Sequence, residues 1–166
     1  MCVDYNDIVV IVGNYGSGKT EVSINLAVTE KQVGKTVQVA DLDLVNPYFR
    51  TREARKQLRA LGIDVILPQE QYMKADLPIL SPGVAAMIRT KEILAILDVG
   101  GDGVGATALA ALAEAFKKRP TKVLQVVNPF RPYTDTLEGC EKIRTEIEMT
   151  AKMKITGMIS NANMMQ

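Results

Sequence analysis

The segment Gly13-Asn14-Tyr15-Gly16-Ser17-Gly18-Lys19-Thr20 has the residue types and the G-x-x-x-x-G-K-[ST] spacing needed to hold a polyphosphate. Its glycines let the backbone turn tightly and approach phosphate oxygens with no Cβ in the way. The backbone N–H groups then point inward as an anion nest. A helix opening at this point adds free N–H groups and a favourable dipole. Lys19 can place a mobile positive charge on the β- and γ-phosphates, and the Thr20 hydroxyl can ligate Mg²⁺. A chance match in a glycine-containing loop is the bland alternative. The apolar run before the segment and the helical pattern after it argue against chance.

Carboxylates downstream complete the constellation. Asp98 ends the apolar run Ile93–Leu97 and begins Asp98-Val99-Gly100-Gly101. An Asp at the tip of a strand beside such a loop is the expected Mg²⁺ partner through water. Gly101 is placed to donate its N–H to a γ-phosphate, as in a D-x-x-G switch. Asp41-Leu42-Asp43 ends another strand. Asp43 is the candidate for holding the attacking water or contacting Mg²⁺; Asp41 is read as fixing the loop by hydrogen bonds. The catalytic pair is therefore Lys19 and Asp43, and the metal set is Thr20, Asp43 and Asp98.

Composition removes other chemistries. The chain has no histidine and two cysteines, Cys2 and Cys140, which are far apart. Zinc sites built on His, Ser/His/Asp and Cys/His triads, and a local Cys cluster for Fe–S ligation are all excluded. Both cysteines read as reduced thiols of a cytoplasmic protein. A formal net charge of +1 gives no reason to expect a nucleic-acid or membrane partner. No signal peptide or membrane-spanning run is visible. At 166 residues, one nucleotide-binding domain over 1–166 is expected.

The elements that must position these residues alternate along the chain. Ile8–Val12, Thr36–Ala40, Ile63–Leu67, Ile93–Leu97, Lys122–Val127 and Ile155–Ser160 read as strands. Glu21–Lys31 reads as a helix, with Val22, Leu26 and Val33 on one side. Arg52–Leu61, Gly83–Arg89, Ala106–Lys118 and Thr134–Lys152 read as the others. Leu109, Leu112, Ala113 and Phe116 form one apolar stripe, and Leu137, Cys140, Ile143 and Ile147 another. Gln69–Pro82 reads as a loop and Gly100–Gly105 as a turn. The expected architecture is α/β, a doubly wound, mostly parallel sheet in three layers. Ligands in such folds sit at the carboxyl ends of the strands. The chain stops just after a strand, so a fragment lacking a last strand and helices is expected.

Together, Gly13–Thr20, Asp41-Leu42-Asp43, Asp98-Val99-Gly100-Gly101 and the late strand before Asn161 resemble the MinD/ParA/CobQ-type P-loop ATPases, of the SIMIBI class. The resemblance spans about residue 8 to residue 161, and the P-loop is its specific part. It implies ATP with Mg²⁺ and, in many members, a nucleotide-gated homodimer or a partner protein. It also implies that Asn161 reads adenine, with Asn128-Pro129 near the same pocket. No N/T-K-x-D guanine motif is present, which favours ATP over GTP. Asn14 stands where many dimerising members carry a second lysine, so no lysine is supplied to a partner's nucleotide. The expected activity is hydrolysis of ATP as a conformational switch. The alternatives are an ATP-dependent small-molecule ligase or kinase of the cobyrinate or dethiobiotin synthetase kind, and a non-catalytic nucleotide sensor.

Other features carry blander readings. Arg52, Arg55, Lys56 and Arg59 form a basic helical face, read as solvated surface. By the same resemblance, Asn46-Pro47-Tyr48-Phe49-Arg50 would fall in the family's first switch region. Met149, Met153, Met158, Met164 and Met165 read as core and tail filler.

Overall fold

Apolar runs with no polar alternation become strands covered on both faces. β1 (Ile8–Gly13) and β4 (Leu94–Val99) are buried at every position. The computed structural model describes residues 8–43, 51–67, 82–101 and 103–162. Cys2, Asn46–Arg50, most of Gln69–Pro82, Met164 and Met165 lie outside the described residues. Between and beyond β1 and β4 run α1 (Lys19–Gln32), β2 (Val37–Leu42), α2 (Thr51–Ala60), β3 (Asp64–Ile66), α3 (Pro82–Arg89), α4 (Gly103–Phe116), β5 (Thr121–Val127), α5 (Leu137–Ala151) and β6 (Gly157–Ser160).

The described strands form one parallel sheet in the order β3-β2-β4-β1-β5-β6. β1 is therefore central, and the chain leaves it in opposite directions to build the two halves. Alternate residues of each strand face opposite layers. Val9, Ile11, Val37, Val39 and Ile96 pack with Ala27 of α1 and Leu58 of α2. Val10, Val12, Ala40, Leu97 and Val99 pack with α3, α4 and α5 through Met87, Ile88, Leu109, Leu112, Phe116 and Ala151. The sheet is thus doubly wound, as expected. Among the described residues, no helix is long and apolar enough to cross a membrane.

Several expectations about helix faces need correction. α1 buries Lys19, Ser23, Ala27 and Glu30, and Val33 is 70% exposed. Small side chains let this helix lie close to the sheet, and Glu30 is paired with Lys35 at 2.6 Å. Leu137 is 74% exposed because α5 begins there, off the end of the sheet, while Cys140 below it is buried. Met149 and Met158 are exposed rather than core. α4 starts at Gly103, inside the expected turn, and α5 starts at Leu137 behind an N-cap, Thr136, whose side chain accepts from the Gly139 N–H. β2 and β4 each run two residues further than their apolar runs. Asp41 pairs with Asp98 and Leu42 with Val99 in the parallel register, so the acidic residues are strand residues.

One polar tie fixes the far edge of the site's supporting layer. The buried Arg119 guanidinium donates to the carbonyls of Met87, Ile88, Thr90 and Ile93 at 2.6–3.2 Å. It thereby gives the Met87 and Ile88 carbonyls in the last turn of α3 a donor and ties that turn to Thr90 and Ile93 beyond it.

Candidate functional site

β1 ends at Gly13, and the chain turns back through Asn14–Gly18 into α1. Gly13, Gly16 and Gly18 all have positive φ. Gly18 is the N-cap of α1, in the left-handed region, with no side-chain cap on the helix. The first-turn N–H groups of α1 are therefore left for a ligand rather than for a capping side chain. At Gly13 (φ +149) an added Cβ would lie 2.4 Å from the Val126 carbonyl oxygen. Gly13→Ala is expected to destabilise the fold by roughly 1–3 kcal/mol from backbone strain alone. Urea unfolding checks this, and a midpoint equal to that of the parent would contradict it.

The Lys19 side chain runs back along the loop. It is 8% exposed and its Nζ donates to the Asn14 carbonyl at 3.0 Å. The β4–α4 segment closes over the same point. A Cβ on Gly101 would lie 2.8 Å from Lys19 Nζ and 2.8 Å from the Tyr15 nitrogen. Gly101 thus touches both the ammonium and the loop, and only a glycine fits there.

Asp98 sits beneath them, 2% exposed. Its carboxyl is pushed up to about 6, first by burial and also by Asp43; the Thr20 hydroxyl, Lys19 and Ser23 pull it the other way. A buried carboxylate beside a hydroxyl and an ammonium is under-compensated. Asp43 lies just past β2, and its N–H donates to Asp41 Oδ1 at 3.0 Å, which fixes the strand end. Asp41 thus makes the loop-fixing hydrogen bond read from the sequence.

These residues fit a nucleotide with a hard cation. The loop offers the uncapped N-terminus of α1 and one ammonium, Lys19. The donors near Asp98 are oxygens only, and among the described residues no group of three or more His, Cys, Asp or Glu side chains forms a metal cluster. That donor set suits Mg²⁺, which takes one or two carboxylates and completes its shell with water and phosphate oxygens. Thr20 and Asp98, with Asp43 near, would hold it.

Asn161 closes the opposite flank. Its Nδ2 donates to the Ser17 carbonyl at 2.9 Å, and its backbone N–H to the Val127 carbonyl at 2.8 Å. The C-terminal end of β6 is thereby tied to the P-loop, with Asn161 against Gly18. All of the sequence-derived site residues thus gather at the carboxyl ends of β1, β2, β4 and β6.

Two features were not read from the sequence. The first is Arg131, whose side chain lies against Gly16. Asn128-Pro129 pointed to this turn, but the arginine two places on carries no motif. The second is a cavity of about 330 Å³ beside the loop. Val12, Gly13, Asn14, Gly100 and Gly101 form the wall it shares with the nest, and Ala106, Ile143 and Ile147 form its apolar side. Gly100, Gly101 and Gly103 bring no side chains to its lining, between Ala106 of α4 and Ile143 and Ile147 of α5.

The model of the CobQ/CobB/MinD/ParA nucleotide binding domain family (CbiA) matches residues 8–163. No curated protein matches the chain at a significant level. Among solved structures, cell division protein FtsY of Thermotoga maritima is similar at TM-score 0.57 and 24% identity, over 93% of this chain and 52% of that one. The BceF tyrosine kinase domain is similar at TM-score 0.53 and 18% identity, over 95% and 69%. A nucleotide-binding protein from Archaeoglobus fulgidus, in complex with ADP, is similar at TM-score 0.53 and 18% identity, over 94% and 66%. These likenesses concern the fold, and the chain spans about half the length of FtsY (52%).

Proposed function

The chain belongs to the CobQ/CobB/MinD/ParA nucleotide-binding domain family, and on that premise we propose that it is a Mg²⁺-dependent ATPase whose hydrolysis switches a conformation read by a partner. The observation that carries this reading is the seat of Gly101 on the Lys19 ammonium and the P-loop backbone. A γ-phosphate arriving at Lys19 must displace or recruit the Gly100–Gly103 segment, so triphosphate and diphosphate would set that segment differently.

Catalysis in such a site is positioning plus charge stabilisation. The loop N–H groups and Lys19 hold the β- and γ-phosphates. Thr20 and Asp98 hold Mg²⁺, which when bound neutralises charge on the phosphate oxygens. Asp43, at the end of β2, orients the attacking water. The preference for ATP over GTP rests on the lack of a guanine motif and on Asn161 at the loop's flank. Asn14 bears on assembly: its Nδ2 donates to the Pro132 carbonyl at 3.3 Å and its Oδ1 accepts from the Tyr15 N–H at 2.8 Å. Its side chain is occupied within this chain rather than reaching outward.

The test is release of phosphate from ATP with Mg²⁺. Asp43→Ala is expected to keep ATP affinity within about threefold and to cut turnover by roughly 100-fold, the scale of a lost proton-transfer or water-orienting group. Turnover equal to the parent's would remove Asp43 from the mechanism.

The cavity beside Asn14 and Gly101 favours a second reading, an ATP-dependent ligase or kinase acting on a small molecule. Its volume is that of a small-ligand pocket, and Asn14 and Gly101 form part of its wall. Under this reading, phosphate release or ADP formation depends on an added acid or amine acceptor. ATP hydrolysis at full rate without any acceptor would rule for the switch.

A further inference from the structure

We propose that Arg131 is the platform on which the base of the bound nucleotide rests, an inference that deepens the nucleotide-binding reading and depends on it. The turn after β5 is built to hold this side chain in place. Asn128, 1% exposed, accepts the Phe130 N–H on its Oδ1 at 3.0 Å. Its carbonyl accepts the Arg131 N–H at 3.1 Å and the Thr134 hydroxyl at 2.7 Å. The Asn14–Pro132 hydrogen bond then fastens the turn to the P-loop.

The arginine side chain consequently lies across the loop tip. A Cβ on Gly16 would stand 3.4 Å from its Nε, 3.6 Å from Cζ and 3.8 Å from Cδ. Three successive atoms of the side chain thus border the space beside Gly16, so the arginine lies close over the loop tip. Its Nε is buried and has no hydrogen-bond partner among the described residues. The side chain as a whole is only half-buried. An Arg held this way is suited to stacking, because its planar, weakly hydrated cation favours π-faces.

Sheet order decides which end of the nucleotide it meets. Asp98 and Gly101 come from β4 and the segment after it, on one side of β1, and they mark the γ-phosphate end. Arg131 and Asn161 follow β5 and β6, on the other side. A nucleotide with its γ-phosphate at Lys19 therefore leaves the nest toward Arg131 and Asn161 with its nucleoside. Asn161 is tied to the Ser17 carbonyl beside it, so edge recognition and stacking would come from neighbouring residues.

The test is calorimetry on the full chain with MgATP, MgADP and Mg-tripolyphosphate, comparing the parent with Arg131→Met and Arg131→Lys. Both variants are expected to lose affinity for ATP and ADP alike, by about 5- to 100-fold, the range of one base–side-chain stack. Tripolyphosphate, which has no base, is expected to bind all three proteins equally. Arg131→Lys keeps the charge and loses the plane, so it guards against a folding defect in the Met variant. Restored ATP affinity in the Lys variant, with weakened tripolyphosphate in the Met variant, would overturn the proposal in favour of a phosphate contact. Unchanged affinity for every probe would reduce Arg131 to packing on the loop. Failure of the underlying reading looks different: the parent itself would then bind neither nucleotide.

Discussion

Lys19→Ala is expected to lower the affinity for MgATP by roughly 100-fold or more, to the edge of detection by calorimetry. A hydrogen bond to a charged group contributes about 1.5–3 kcal/mol, and a phosphate held without its ammonium also loses charge compensation in a partly dry site. The ammonium is already in place: it is 8% exposed, it donates to the Asn14 carbonyl at 3.0 Å, and Gly101 packs on it. Little has to be reorganised when phosphate arrives, so its removal should be felt almost in full. The same change has a second effect. Lys19 is one of the groups holding the Asp98 carboxyl down. Without it the buried acid is still less compensated, and the free protein should lose some stability at neutral pH. A folded Lys19→Ala protein that binds MgATP as the parent does would contradict the phosphate-nest assignment.

How far the sequence displays this site depends on what kind of signal each residue leaves. Gly13–Thr20 was legible because a phosphate nest needs particular residue types at fixed spacing, and no other local structure asks for that string. The strands were legible because a parallel sheet buried on both faces reads as continuous apolar runs, and the order of elements followed. Asp41 and Asp98 were legible as acids at strand ends, but their register was not. Only the sheet reveals that they sit side by side, Asp41 against Asp98 across β2 and β4. The α1 face was legible only in part: Val22 and Leu26 do pack, half-buried, against the sheet, while Val33 does not. The deepest positions are Ser23 and Ala27, which an apolar periodicity weights little. Arg131 was hidden for a different reason. Its role depends on a turn folded by Asn128 and Thr134 and on a loop more than a hundred residues earlier, and a lone arginine in a turn has no period. The cavity was hidden because it is made of missing side chains: glycines announce turns, and a void between helices leaves no trace along the chain.

Asp98→Asn carries the opposite expectation to Lys19→Ala: the ligand-free protein should become more stable as the pH rises, relative to the parent, while Mg²⁺-dependent binding is lost. The Asp98 carboxyl rises from 3.8 to about 6 on folding, chiefly through burial. The folded state then holds this proton more tightly than the unfolded state, so ionisation costs folding free energy. Below pH 3.8 both states are protonated and no cost exists. The cost grows as the pH climbs from the unfolded value to the folded one, and it levels off above about 6. At neutral pH it amounts to roughly 2–3 kcal/mol, since a tenfold change in an acid dissociation constant corresponds to about 1.4 kcal/mol. Asparagine never ionises, so the stability gap between variant and parent should be smallest near pH 4 and open through pH 6. By about pH 7.5 it should have widened by roughly 5–10 °C in Tm for a chain of this size. Adding MgATP should reverse the order, because the parent recovers in ligand binding what the buried charge costs it in folding. Thermal melts across that pH range, with and without MgATP, read both effects at once. A gap that stays flat with pH would mean the acid is not penalised when the site is free. A variant that gains as much from MgATP as the parent would mean Asp98 does not help to hold the cation.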